Sequence, residues 1–301
     1  MQKDWKKAVI LALGLVCSTW YFATPKGEAA ENVAKQDKAV VVVSFGTTFK
    51  EAQEKDLGGI EAAIKEAFAN RAFYHANTSY IVMKRNAKNG IHISDLKTVL
   101  TTLKQAGFTD VLVQPTHLLT GEEYNKKVLG QLKPFYGKFT KLAVGEPLMT
   151  NLTDWPLAAT ALATQFPVLE KTEGVVLMGH GSPRDNNKSF GKTYKLLQKY
   201  FDELNLPVVV GTVEEADSPN LQAVAALVKE RGYKLVHMYP LMVVAGDHAH
   251  NDMYGKEPTS WKNVLEKEGV KTVGHMEGLG RNKAIQALYV QHALRAAAQV
   301  K

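Results

Sequence analysis

The stretch AGFTDVLVQPTHLLTGEEYN, residues 106 to 125, has a counterpart in ERGYKLVHMYPLMVVAGDHAHND, residues 230 to 252. Pro115 closes the first apolar run and Pro240 the second, and Gly121 falls over Gly246 at the same spacing of 125. In that register Glu122 faces Asp247 and Glu123 faces His248. Two more segments repeat in the same order. VVVVSFGT (40 to 47) parallels VVLMGHGS (175 to 182), setting Phe45 over His180, and EPLMTN (146 to 151) parallels EGLGRN (277 to 282). Three matches at spacings of 135, 125 and 131 are hard to produce by chance in one sequence. They imply two similar domains, residues 38 to 155 and 170 to 301, divided near QFPVLEKTEG (165 to 174).

The pattern inside each half names the domain type. AVVVVSF (39 to 45), DVLVQP (110 to 115), KLAVGEP (141 to 147), GVVLMG (174 to 179), PVVVGTV (207 to 213), KLVHMYP (234 to 240) and VKTVGH (270 to 275) are short apolar runs. They have the length and the lack of alternation expected of strands buried on both faces. Amphipathic stretches such as EAQEKDLGGIEAAIKEAFA (51 to 69) and SPNLQAVAALVKERG (218 to 232) lie between them. Strands alternating with helices predict an α/β fold, a parallel sheet covered by helices in each half. Ligands of such open sheets bind beyond the carboxyl ends of the strands. His180, Glu123 and His248 all fall there, so a cleft between the halves is the expected site.

Residues 1 to 30 follow another logic. Lys3, Lys6 and Lys7 precede the apolar run AVILALGLVCSTWYFA (8 to 23), and small residues follow up to Ala29 and Ala30. A charged start, a run too short for a comfortable span and a small-residue cleavage point predict a cleavable export signal and a periplasmic or otherwise exported protein. No stable membrane insertion is expected after cleavage. The only cysteine, Cys17, lies within that segment, so a metal site in the mature chain must use His, Asp or Glu. The chain of 301 residues carries 37 Lys and Arg against 30 Asp and Glu, a net +7. That falls to about +5 once the four lysines and two acidic residues of the signal are removed. A mild excess without a dense basic run argues against nucleic acid and suits a small polyanionic ligand.

Taken alone, each motif has an ordinary explanation. GHGSP would serve a helix-capping turn, and Asp247 or Asn251 could cap a helix with exposed histidines beside it. The repeat argues otherwise, because the halves present different ionisable groups at matched cleft positions. His180, His248 and Glu123 form a sensible ligand set for Co²⁺, Fe²⁺, Ni²⁺ or Zn²⁺, with positions left open for exchange. GHGSP lacks the spacing of a nucleophile elbow, and no phosphate-binding G-x-x-x-x-G-K-[ST] loop occurs, so neither acyl transfer nor nucleotide chemistry is expected.

The segments VVVSFGTTF, QPTHLLTGEEY, LMGHGSP and PLMVVAGDHAHNDM, in this order, resemble the anaerobic cobalt chelatase family of the cobalamin pathway, in its exported form. The resemblance runs through nearly all of the mature chain. It implies a class II chelatase fold related to ferrochelatase, with a tetrapyrrole in the interdomain cleft. It implies a lyase that inserts Co²⁺, and to some extent Fe²⁺, into sirohydrochlorin without a separate cofactor. It places the metal on Glu123, His180 and His248, the three residues the repeat had singled out. As the substrate carries eight carboxylates, Lys84, Arg85, Arg184 and Arg281 become candidates for binding its periphery. His117 and His250 are candidates for orienting a ligand, and His237, inside an apolar run, for the core. His75, His92, His275 and His292 have no motif around them, although an exposed histidine could bind haem in a homo-oligomer. An export signal is unexpected on a biosynthetic enzyme, which keeps two alternatives open: a periplasmic haem or metal carrier on the same fold, and an ordinary two-lobed solute-binding protein.

Overall fold

A computed structural model describes residues 37–181, 189–215 and 217–299. The expected export signal, Cys17 included, lies outside the described residues. No helix among the described residues is long and apolar enough to cross a membrane.

The first half runs β1 (Lys38–Ser44), a π-helical stretch (Ala52–Leu57) leading into α1 (Gly58–Ala67), β2 (Ala72–Asn77), α2 (Tyr80–Lys88), α3 (Leu96–Gln105), β3 (Asp110–Pro115), a second π-helical stretch (Glu123–Leu129), β4 (Lys141–Val144) and α4 (Asp154–Ala163). The second half runs β5 (Glu173–Gly179), α5 (Ser189–Glu203), β6 (Val208–Thr212), α6 (Leu221–Glu230), β7 (Leu235–Leu241), a third π-helical stretch (Ala249–Met253), α7 (Trp261–Lys267), β8 (Lys271–Gly274) and α8 (Lys283–Ala298). The strands pair in parallel in two four-stranded sheets, β2-β1-β3-β4 and β6-β5-β7-β8. The two orders are the same when β1 to β4 are laid on β5 to β8, so the internal repeat is a repeat of topology.

Local sequence explains the elements. The central strands are β-branched and fully buried, as in VVVV of β1 and VVL of β5, because helices cover both faces. Helix starts carry short polar caps: Asp95 accepts from Thr98 N at 2.7 Å, Asn220 from Ala223 N at 3.1 Å, and Asn282 from Ala284 N at 2.8 Å. Each cap satisfies a backbone donor that the first helical turn leaves unpaired.

The structure differs from the expected strands in two ways. One strand, β2, had no apolar run to announce it: AFYHAN is half-buried at a sheet edge, with His75 exposed. The edge strands β4 and β8 are only partly buried, and they stop at Val144 and Gly274, short of the expected ends.

The sheets share a core. Val40, Val42 and Leu112 of the first sheet join Val175, Leu177, Tyr239 and Leu241 of the second in one buried cluster, filled by Ile60, Ile64, Leu162 and Tyr289. Separate clusters cover the outer faces, around Val41, Leu100 and Val128 on one side and Val209, Met238 and Trp261 on the other. The last helix, α8, packs against α1, α4, β3 and β4, so it lies on the first sheet although it follows the second. Tyr289 anchors it, donating from its buried hydroxyl to the Thr116 carbonyl at 2.6 Å. His292 is another buried residue of this helix.

Candidate metal centre

The carboxyl ends of β1 and β5 turn in the same way. Gly46 and Gly181 follow them with φ of +94° and +81°, a left-handed conformation that glycine adopts without strain. The turns leave Phe45 half exposed on one wall and His180 exposed at the matching place on the other.

His180 and His248 meet. Their rings lie 4.7 Å apart, centroid to centroid, and are edge-to-face at 88°. His180 directly follows β5, and His248 directly precedes the third π-helical stretch. Both rings are oriented from the same side. His180 Nδ1 lies 2.7 Å from the Gly181 carbonyl, and His248 Nδ1 lies 2.7 Å from Asp252 Oδ2. A carbonyl and an ionised carboxylate can only accept, so both Nδ1 atoms carry the proton. In the neutral form of each ring the lone pair then falls on Nε2, the arrangement by which second-sphere partners fix metal-binding imidazoles.

Glu123 opens the second π-helical stretch, the counterpart of the one that His248 directly precedes. Its Oε1 is buried and has no hydrogen-bond partner within the protein. A buried carboxylate oxygen without a donor is costly, which makes it an oxygen in need of a proton or a cation. Its neighbour Glu122 is spent on Lys126, 2.6 Å away. His117, near Tyr124 with ring centroids 6.2 Å apart, also buries both ring nitrogens without partners. Burial pushes the His117 imidazole down to about 4, so it is neutral.

The loop bearing His248 is tied to the other half. His250 stacks on Phe49 at 4.6 Å with the rings 1° from parallel. Arg85 reaches Asp247 at 3.5 Å. The strongest tie is Asp56, fully buried in the first π-helical stretch. Its Oδ2 accepts from Ala245 N at 3.0 Å and Gly278 N at 3.1 Å, while Oδ1 accepts from Arg281 Nε at 2.9 Å. Burial raises the Asp56 carboxyl, and these donors pull it back. Asp56 was not among the expected site residues, since EAQEKDLGG reads as an ordinary amphipathic stretch.

Of the expected periphery-binding residues, Lys84 is exposed on α2 and Arg85 is 59% exposed. Tyr80 and Ile81 lie exposed one turn earlier on that helix. Arg281 belongs elsewhere than expected. Its guanidinium is held by Asp56 and, at 3.2 Å, by Glu51, so it braces the two halves instead of standing free for a carboxylate. Arg184 lies outside the described residues. His237 and His275 form a pair, Nδ1 to Nε2 at 3.0 Å, and His275 stacks on Tyr239 at 4.1 Å.

Residues 38–298 match the family model of the cobalt chelatase CbiK. The chain belongs to the CbiK cobalt chelatase family. The chelatase is 34% identical over 256 residues to the sirohydrochlorin cobaltochelatase of Salmonella typhimurium, covering 85% of this chain and 94% of that one. It is 28% identical over 258 residues to the sirohydrochlorin cobaltochelatase CbiKC of Nitratidesulfovibrio vulgaris, covering 85% and 89%. Its fold is that of SirB from Bacillus subtilis with Fe³⁺ (TM-score 0.53, 17% identity, 87% of this chain and 96% of that one). It also matches the sirohydrochlorin chelatase SirB of Bacillus subtilis subspecies spizizenii in complex with cobalt (TM-score 0.55, 15% identity, 87% and 95%). The expected class II chelatase fold is thus the one observed.

Proposed function

We propose that the chelatase inserts Co²⁺ into sirohydrochlorin, holding the ion on His180 and His248 with Glu123 as the third donor. One observation carries the reading: two imidazoles from adjacent loops touch, and each commits Nδ1 to an acceptor, leaving both Nε2 lone pairs for one ion. Two neutral nitrogens and one carboxylate suit a borderline ion such as Co²⁺ or Fe²⁺. They leave coordination positions open, so the ion can be passed to the macrocycle.

The reaction requires two pyrrole N–H protons to leave as the metal enters. Once the ion has moved into the ring, the Nε2 lone pairs and the Glu123 carboxylate are the bases beside the vacated place, so ligand and proton acceptor are the same groups. Asp252 then stabilises the imidazolium that forms on His248. Phe45, half exposed where the other wall has His180, offers an apolar face to the macrocycle. Lys84 and Arg85 stand on the same side for peripheral carboxylates, Arg85 by exchanging Asp247 for a substrate carboxylate. Fe²⁺ is expected to be accepted as well, because the same donors serve both ions. The carrier alternative is not favoured, since the family and the relatives that the chain matches are cobalt chelatases.

Residues 1 to 30 are further inferred to direct export, and mass determination of the protein from intact cells tests this by the loss or retention of that segment. The function is tested by incubating tag-free protein with sirohydrochlorin and Co²⁺ or Fe²⁺ and following the change in absorbance. Insertion no faster than that of the His180→Ala, His248→Ala double variant would remove the enzyme reading. In a haem titration of the same sample, an absent Soret shift would count against the carrier reading.

A further inference from the structure

A second group of ionisable side chains, which shares no residue with the cleft histidines, lies where α8 crosses the first sheet. Glu146 follows β4, Asp154 opens α4, and His292 projects from α8. Ligand atoms of these three lie within 4.8 Å of one another. Asp154 and His292 are almost wholly buried, with side chains 2% and 3% exposed, and Glu146 is open to solvent at 44%.

The hydrogen bonds around the group decide what His292 can do. Its Nδ1 lies 3.1 Å from the Glu146 carbonyl oxygen, which can only accept, so Nδ1 carries the proton. His292 Nε2 in turn faces Asp154 Oδ1, 3.5 Å away. The gap is longer than the roughly 2.7–2.9 Å of a made charge-assisted bond, and it leaves a place for a cation between them. The other oxygen of Asp154 is taken by Asn151 N at 2.9 Å, and Asn151 Nδ2 holds Glu146 Oε2 at 2.8 Å, so both carboxylates are oriented from outside the group.

We propose that Glu146, Asp154 and His292 form a second divalent-cation site, made of other residues than the cleft pair His180 and His248, that staples α8 to the first sheet. Two carboxylates and one imidazole suit a first-row divalent ion, with water from the open Glu146 side completing its shell. Without an ion the nearby charge is supplied by Arg295, 3.3 Å from Asp154 and 3.9 Å from Glu146. Arg295 is 48% exposed and can swing into solvent when an ion enters, so it acts as a competitor. Two carboxylates against one guanidinium leave a net negative charge, which a divalent ion in the guanidinium's place cancels.

The test is Co²⁺ alone, titrated calorimetrically into tag-free, metal-stripped protein carrying His180→Ala and His248→Ala. One equivalent is expected to bind still. Adding His292→Gln should weaken that binding roughly tenfold or more. Adding Arg295→Gln instead, a change at a half-exposed position that the core tolerates, should tighten it, and Co²⁺ should raise the Tm of this variant. Loss of all Co²⁺ binding in the starting double variant would overturn the proposal. So would an affinity that His292→Gln leaves unchanged, or one that Arg295→Gln fails to raise.

Discussion

The two walls of the cleft are built from the same parts and end in different chemistry. Each half leads from a buried parallel strand through a positive-φ glycine and, one strand further on, opens a π-helical stretch. On the second wall these positions hold His180 and His248, whose rings touch. On the first they hold Phe45 and Glu123, an apolar ring and a carboxylate with a buried, unpartnered oxygen. A duplicated scaffold thus sets the distances, and single residues at matched places divide the labour. Under the proposed function the second wall would offer nitrogen donors, and the first would offer charge balance and a face for a flat ring.

That asymmetry can be broken at several points, with effects of decreasing size. Removing the nitrogen wall with His180→Ala and His248→Ala should lower the insertion rate about 10²-fold or more, read in single-turnover assays. Glu123→Ala on the facing wall should cost less in Co²⁺ affinity than either histidine does, but should lower kcat with KM for sirohydrochlorin little changed. Asp252→Ala leaves both imidazoles in place and removes what orients one of them. A loss of about 10-fold to 100-fold in metal affinity is expected, measured by Co²⁺ titration in a His292→Gln background.

The tie between the walls should matter for stability as well as for activity. Asp56→Ala strands the Ala245 and Gly278 N–H groups and leaves Arg281 without its buried partner. A destabilisation of about 3 kcal/mol is expected from chemical denaturation. The smallest effect concerns pH. Burial holds the His117 imidazole at about 4, below its ordinary value of 6.5. The native state therefore binds that proton less readily than the unfolded chain. The stability this represents is complete above about pH 6.5 and is lost as pH falls toward 4. Thermal melts from pH 7 to 4 should show a falling Tm, and His117→Leu should flatten the fall.

Much of the fold was legible because buried parallel strands write themselves as apolar runs, and because a duplication shows each pattern twice. The edge strand Ala72–Asn77 escaped because half-burial allowed polar residues into it. The docking of α8 on the first sheet escaped for a different reason: periodicity reports which face of a helix is apolar, not which sheet will cover it. The register across the repeat singled out Glu123, His180 and His248 as candidates, and of these the structure brings the His180 and His248 rings together. Asp252 could have been found from its spacing, four residues after His248, the reach of one helical turn. Asp56 and the diversion of Arg281 could not, since the contact joins residues 225 apart in sequence. Only the packing of the halves brings them together.

X-ray absorption by Co²⁺ bound to the His292→Gln variant tests the division between the walls most directly, because that variant leaves the cleft as the place for the ion. Two imidazole ligands in the cobalt shell, lost together in His180→Ala, His248→Ala, are the expected result. A shell of oxygen donors alone, or one unchanged by removing both histidines, would contradict the assignment of that wall to metal binding.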